Sequence, residues 1–223
     1  MREWGIAEHA ATMGLSLSTR AVDQFAGLLQ LLTKWNRVYN LTSLREEKEI
    51  VSNHLLDSLS IAAILPAGRM IDVGSGGGFP GIPVAVAQPQ REIVLLDSNS
   101  KKTAFLRQAV AELRLTNVTV QTQRVESFRP ERPFDVVVSR AFAELRSFVE
   151  LAGHLCASQG RLVAMKGAYP HHELASLRSG CLEKVVPLEV PMLNAQRHAV
   201  FLYPPATGHA QSGTDQSWRG YSQ

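Results

Sequence analysis

The stretch Arg69-Met70-Ile71-Asp72-Val73-Gly74-Ser75-Gly76-Gly77-Gly78-Phe79-Pro80-Gly81 constrains the fold more than any other part of the chain. A short apolar run stops at a cluster of glycines, and a helix-compatible segment follows. This reads as a strand, a tight turn and a helix N-terminus. Gly74, Gly76 and Gly78 take positive φ at low steric cost and let a ligand approach bare backbone, while the helix start offers unpaired N–H groups. Dinucleotide-binding and other nucleoside-binding folds both use such a turn, so the glycines alone leave the ligand open.

Two carboxylates narrow the choice. Ile93-Val94-Leu95-Leu96-Asp97 is a second apolar run ending in an acid, about 20 residues beyond the loop, the separation at which a carboxylate takes a pair of ribose hydroxyls. An adenosine-containing ligand is expected. Asp72 sits one residue inside the end of the first run, where it would repel a pyrophosphate and suit a ligand carrying an amino group and a sulfonium. S-adenosylmethionine is therefore favoured over NAD. The competing reading of Asp72 is a helix or turn cap with no ligand contact.

A chain of 223 residues with 45% hydrophobic content supports one large α/β domain with an appendage. No apolar run approaches the roughly 18 residues of a membrane span, and Met1-Arg2-Glu3-Trp4 lacks the apolar stretch of a signal peptide, so a soluble cytoplasmic protein without a membrane partner is expected. Cys156 and Cys181 are too few for a metal knuckle or a disulfide framework and read as buried thiols. Residues 70–170 hold 12 basic and 9 acidic side chains, whereas 1–69 and 171–223 are balanced. That excess is compatible with a nucleic-acid partner without requiring one.

Apolar residues Val22, Phe25, Leu28, Leu29, Leu32, Trp35 and Val38 recur at helical spacing from about Thr19 to Asn40, with Ser18 or Thr19 as N-cap. A shorter helix from about Trp4 to Met13 precedes it, and Glu46 to Ile64 resumes the helical period. Residues 1–66 thus form a helical cap. Beyond the loop, a helix from Ser98 or Ser100, a strand at Val118–Thr122, a strand at Phe134–Ser139, a helix at Leu145–Cys156, a turn at Gly160 and a strand at Leu162–Lys166 alternate. Such alternation implies a parallel, doubly wound sheet. Leu182–Val190 and Ala199–Tyr203 lack an intervening helix and read as an antiparallel hairpin finishing the sheet of a domain over 67–203. Residues 204–223 read as a flexible polar tail.

A narrower pattern runs through the chain: Asn40-Leu41-Thr42-Ser43, His54-x-x-Asp57-Ser58, the Gly-Phe-Pro-Gly ending of the glycine loop, Leu96-Asp97-Ser98, Arg124-Val125-Glu126, Ser139-Arg140-Ala141 and Leu162-Val163-Ala164-Met165-Lys166-Gly167. In this order the segments resemble the RsmG (GidB) family over roughly residues 20 to 203. The resemblance implies a Rossmann-like class I S-adenosylmethionine-dependent methyltransferase that methylates guanine N7 in the 530 loop of 16S rRNA, at guanine 527. It also implies cofactor-binding roles for Gly74 and Phe79 of the loop, for Val125 and Glu126 at the adenine end, and for Arg140. Asp72, Gly76, Gly78 and Asp97 complete the expected cofactor set from the reading of the loop itself.

Guanine N7 offers a ring lone pair with no proton to remove, so in-line methyl transfer needs alignment and exclusion of water rather than a general base. Ligands of open α/β sheets lie at the carboxyl ends of the strands. Arg140 and Lys166 occupy such ends, and with Arg197 they are candidates to position rRNA through guanine O6 or phosphate. His54 and Asp57, three apart on one helix face, are expected to hold the cap to the catalytic domain. His171-His172-Glu173 carries metal-capable groups, but adjacent histidines on a polar helix rarely share one ion, and no metal is expected. The partner is 16S rRNA or the small ribosomal subunit, met by a monomer. An NAD-dependent oxidoreductase and a non-catalytic RNA-binding or assembly factor remain as alternative classes.

Overall fold

The strand expected before the glycines is β1, Met70–Val73, and all of it is buried. The computed structural model describes residues 4–140, 142 and 144–205. Ala141 and all of the expected tail except Pro204 and Pro205 lie outside the described residues. Beside β1 stand β2 (Ile93–Asp97), β3 (Val118–Thr122), β4 (Phe134–Arg140), β5 (Cys156–Lys166), β6 (Leu182–Pro187) and β7 (His198–Leu202). Their lateral order is β3-β2-β1-β4-β5-β7-β6. Strands β1 to β5 pair in parallel, and β7 runs antiparallel to both β5 and β6.

The order of the final hairpin follows from its side chains. Ala199-Val200-Phe201-Leu202 is a continuous apolar run and takes the inner position, buried on both faces. Leu182-Glu183-Lys184-Val185-Val186-Pro187 carries charges and a proline and takes the outer edge, where such residues oppose further strand addition.

Helix α1 (Ile6–Thr12) is followed by α2 (Thr19–Tyr39), whose N-terminus is capped by Ser18 Oγ accepting from the Ala21 N–H at 3.1 Å. The α2 helix stops at Asn40, which adopts a left-handed conformation at φ 47°. The expected helix from Glu46 to Ile64 is a rod of three parts: α3 (Glu47–Ile50), a π-helical segment Val51–Leu56, and α4 (Asp57–Ala62). The widened turn carries His54 and precedes Asp57, which fits the tendency of such bulges to occur at functional sites.

After the glycine loop come α5 (Gly81–Ala87), α6 (Ser100–Glu112), α7 (Leu145–Ala152) and α8 (His171–Ala175). Asn99, rather than Ser98 or Ser100, caps α6: its side-chain oxygen accepts from Lys101 N and Lys102 N. The helix expected to reach Cys156 ends at Ala152, with a 3₁₀ turn at Gly153–Leu155 before β5 begins. Gly160 lies inside β5, not in a turn before it, where the register with β4 jumps from Phe134↔Cys156 to Val136↔Arg161. A Cβ there would stand 2.7 Å from Asp135 O and 2.8 Å from Cys156 Sγ, so the bulge admits only glycine without displacement.

Two apolar layers sandwich the sheet. On one face Phe25, Leu28 and Leu32 of α2 and Leu55, Leu56 and Leu59 of the helical rod form a continuous cluster with Met70, Ile82, Leu95, Phe105 and Val136. On the other, Ile71, Val73, Val137 and Leu162 pack against Leu145 and Phe148 of α7. The helices before β1 therefore share a core with the sheet, and each fully buried Leu or Phe contributes on the order of 1.5–3 kcal/mol to holding them there. Strand alternation puts Asp72 on the same face as Met70, beneath the start of α5.

Candidate active site

The glycine loop is tied to the end of β2. Gly74 N and Ser75 N donate to Leu96 O at 2.8 and 3.1 Å, and Gly76 N donates to Asp97 Oδ2 at 2.9 Å. Gly76 sits at φ 56°, a left-handed conformation that a side chain would strain. Asp97 Oδ1 accepts from Asn99 N at 2.8 Å, so one carboxylate fixes both the loop and the entry to α6. Each of its oxygens has acceptor capacity beyond that single bond. Asp97 lines a cleft of about 320 Å³ whose walls include Gly74, Lys102, Val125, Glu126 and Arg140. Val125 is buried and Glu126 exposed on a 3₁₀ turn, Val125–Ser127, after β3. The sequence-expected ribose and adenine groups thus meet in one place.

Asp72 is wholly buried under the loop and lines neither this cleft nor its neighbour. Its Oδ2 accepts from Gly81 N at 2.9 Å, while Oδ1 has no hydrogen-bond partner among the described residues. Burial pushes its carboxyl up to about 7, against the opposing pull of the Gly81 N–H and the Arg140 charge. In this arrangement Asp72 anchors the start of α5 rather than offering an exposed contact to a ligand. Gly81 is required by packing: a Cβ would collide with Leu95 Cδ2 and stand 2.7 Å from Asp72 Oδ2. Gly78 lies at φ 86° against Ile82, and Phe79 is buried.

A second cleft, of about 660 Å³, adjoins the first and shares Gly74, Lys102 and Arg140 with it. Gly76, Phe79, Lys166 and Arg197 also line it, and the helical cap supplies Leu41, Asn53 and His54. Cap and sheet are joined here by charge. Arg140 Nη1 donates to Asn53 O at 2.8 Å and His54 Nδ1 at 3.0 Å, and it lies 3.4 Å from Asp57 Oδ2. Arg197 Nε donates to Asp57 Oδ1 at 3.1 Å and Nη2 to Asn53 Oδ1 at 3.2 Å. Burial raises the Asp57 carboxyl even though both guanidiniums draw it down, and burial lowers Arg140.

The network engages both ring nitrogens of His54. Nδ1 lies 3.0 Å from Arg140 Nη1, which can only donate, and 3.1 Å from Asn53 O, which can only accept, while Nε2 pairs with Thr42 Oγ1 at 2.7 Å. Desolvation, with Arg140 adding to it, lowers His54 to about 4. The ring is stacked on Phe79 at 4.8 Å, and the Arg140 guanidinium also lies over Phe79, 5.4 Å from its centroid. His54 is a neutral strut with both nitrogens engaged.

Lys166 ends β5 and donates to Glu173 Oε2 at 2.7 Å. The same oxygen accepts from Leu145 N, so Glu173 joins the strand end to the start of α7. His171 and His172 do not form a metal group with it among the described residues. Three contributors escaped the sequence reading. Asn53 bridges Arg140 and Arg197, Lys102 lies on both clefts, and Ser139 Oγ pins β4 to β1 through Val73 O at 2.6 Å. Lys102 could have been found from its place in the first turn after the second acidic strand end.

Comparison with known proteins accords with this geometry. Residues 21–200 match the family model described as rRNA small subunit methyltransferase G. The ribosomal RNA small subunit methyltransferase G of Chromobacterium violaceum is 54% identical over 192 residues, covering 85% of this chain and 92% of that protein. The protein of the same name from Laribacter hongkongensis is 51% identical over 193 residues, covering 86% and 93%. Among solved structures, an S-adenosylmethionine-dependent O-methyltransferase from Thermotoga maritima superposes with a TM-score of 0.54 at 15% identity, covering 66% of this chain and 64% of that one. A methyltransferase of the same dependence from Aquifex aeolicus gives 0.51 at 17% identity, covering 70% and 93%. These two similarities establish the class I methyltransferase fold and no more, whereas the sequence matches span most of the molecule. The chain belongs to the ribosomal RNA small subunit methyltransferase G family.

Proposed function

We propose that the chain transfers the methyl group of S-adenosylmethionine to N7 of guanine 527, in the 530 loop of 16S rRNA, acting as a cytoplasmic monomer. The observation that carries the reading is the pair of adjoining clefts at the carboxyl end of the sheet, joined through Gly74, Lys102 and Arg140 in a member of this family. The smaller cleft fits a nucleoside: Asp97 would take the ribose hydroxyls, Val125 and Glu126 would meet the adenine, and Gly74, Gly76, Gly78 and Phe79 shape the turn beside it. S-adenosylmethionine supplies an electrophilic methyl group on a sulfonium. The larger cleft, walled by helices of residues 1–66 and by strand ends of 67–203, would receive the guanine.

Guanine N7 attacks with its own lone pair, so the residues around it have only to orient it and exclude water. The neutral, fully engaged His54 suits that requirement, since neither nitrogen is available as a base. Lys166, Arg197 and Arg140 would hold guanine O6 or phosphate and leave N7 unobstructed. NAD is disfavoured by topology: the antiparallel β7 inserted between β5 and β6 departs from the 3-2-1-4-5-6 order of dinucleotide-binding sheets.

The test is mass spectrometry of 16S rRNA incubated with the protein and isotopically labelled S-adenosylmethionine. Labelled 7-methylguanosine in the 530-loop fragment is expected. Label at another nucleotide, or calorimetric binding of NAD without binding of S-adenosylmethionine, would overturn the assignment.

A further inference from the structure

The rim of the larger cleft carries an aromatic cluster that the chemistry above does not use. Gly167 lines the cleft directly after Lys166, and Tyr169, 41% exposed, follows two residues on. The Tyr169 ring lies 4.5 Å from the ring of His171 and meets that of His198 edge-on at 5.5 Å and 87°. His198 is itself fixed, since its Nδ1–H donates to Gly167 O at 2.8 Å. It follows Arg197, which the cap holds through Asp57 and Asn53. Three rings from three segments, the loop after β5, the start of α8 and the start of β7, therefore converge beside the cations Lys166 and Arg197.

We infer that Tyr169, supported by His171 and His198, is a stacking platform for an unpaired rRNA base next to the target guanine. The inference rests on the rRNA reading of the same cleft. Sequence-specific and sequence-tolerant RNA binding both draw on splayed-out bases stacked on aromatic rings. A partly exposed tyrosine with two ring neighbours is held in place before any base arrives, which limits the entropy lost on binding. Lys166 and Arg197 lie where the backbone phosphates of such a strand would need cations. Because every base has a π face, the platform grips the strand without selecting its sequence.

The test measures steady-state methylation of 16S rRNA by full-length Tyr169→Ala, Tyr169→Leu, Tyr169→Phe and wild-type protein, together with S-adenosylmethionine affinity and Tm. Stacking a base contributes roughly 1–3 kcal/mol, so the Ala and Leu variants should raise KM for rRNA by about fivefold to about 150-fold. Their S-adenosylmethionine Kd should stay unchanged, and Phe should restore the wild-type KM. Wild-type KM in Leu, a Phe variant as impaired as Ala, or a loss confined to Tm would overturn the platform. A wild-type protein that leaves rRNA unmethylated would instead overturn the functional reading itself.

Discussion

Asp72→Asn should change how stability depends on pH, in a direction set by two opposing shifts. The Asp72 carboxyl, near 7 in the folded protein against 3.8 when exposed, binds a proton that the unfolded chain releases between those values. Its contribution to stability is therefore complete below pH 3.8 and is lost as pH rises through 7. His54, near 4 against 6.5, does the reverse: its contribution is complete above pH 6.5 and is lost as pH falls through 4. One proton per site corresponds to about 1.4 kcal/mol per pH unit. Between pH 4 and 6.5 the two slopes oppose each other and nearly cancel in the wild type. Asparagine at 72 retains an oxygen for the Gly81 N–H but binds no proton, leaving the His54 slope uncompensated. Relative to wild type, the variant should lose about 3 kcal/mol of unfolding free energy on acidification across that window. Urea unfolding followed by tryptophan fluorescence at fixed ionic strength reads it directly. Parallel stability curves for the two proteins would refute the reasoning, and His54→Gln should show the opposite tilt.

Other perturbations address the junction and the loop. Asp57→Asn leaves two guanidiniums, 20% and 21% exposed, without their carboxylate. Removing one partner of a buried pair costs roughly 3–5 kcal/mol, reduced here by partial exposure to about 2. A double-mutant cycle with Arg140→Met should give a coupling of at least about 1 kcal/mol, and additivity would disprove the link. Gly81→Ala should destabilise by about 1–3 kcal/mol through overpacking against Leu95 and Asp72; an unchanged calorimetric Tm would contradict that packing. Gly74→Asp, which puts a side chain and a negative charge where φ is 71°, should abolish calorimetric binding of S-adenosylmethionine, and unchanged affinity would exclude this pocket. Lys166→Ala should reduce the methylation rate more than cofactor affinity, whereas equal losses would move Lys166 to the cofactor side.

Apolar periodicity made the sheet legible because β1 and β2 are buried runs closed by Gly74 and Asp97, and β4 holds the buried run Val136–Ser139. What it could not convey is geometry set by tertiary contact. The π-helical segment keeps the same apolar spacing as an ordinary helix, so nothing in Val51–Leu56 signals the wider turn. Gly160 resembles a turn residue, yet it serves the close approach of Asp135 O within a strand. In the site, Asp97 was readable from its distance to the glycines. The bond from Arg197 to Asp57 spans 140 positions and is invisible to any local pattern. Asp72 was visible as an acid at a strand end, but the side of the sheet it enters and its bond to Gly81 depend on how α5 closes over β1.

Arg140 belongs to both clefts and is gripped by the π-helical segment through Asn53 and His54. A residue that lines two clefts gives the occupancies of ligands bound in them a common term in free energy, and that term is reciprocal. Whatever factor the methyl donor imposes on rRNA affinity through Arg140, rRNA must impose on the donor. The energy of the ternary complex is the same by either order of arrival, so the irregular helix that grips Arg140 bears on the size of that coupling and not on which partner must come first.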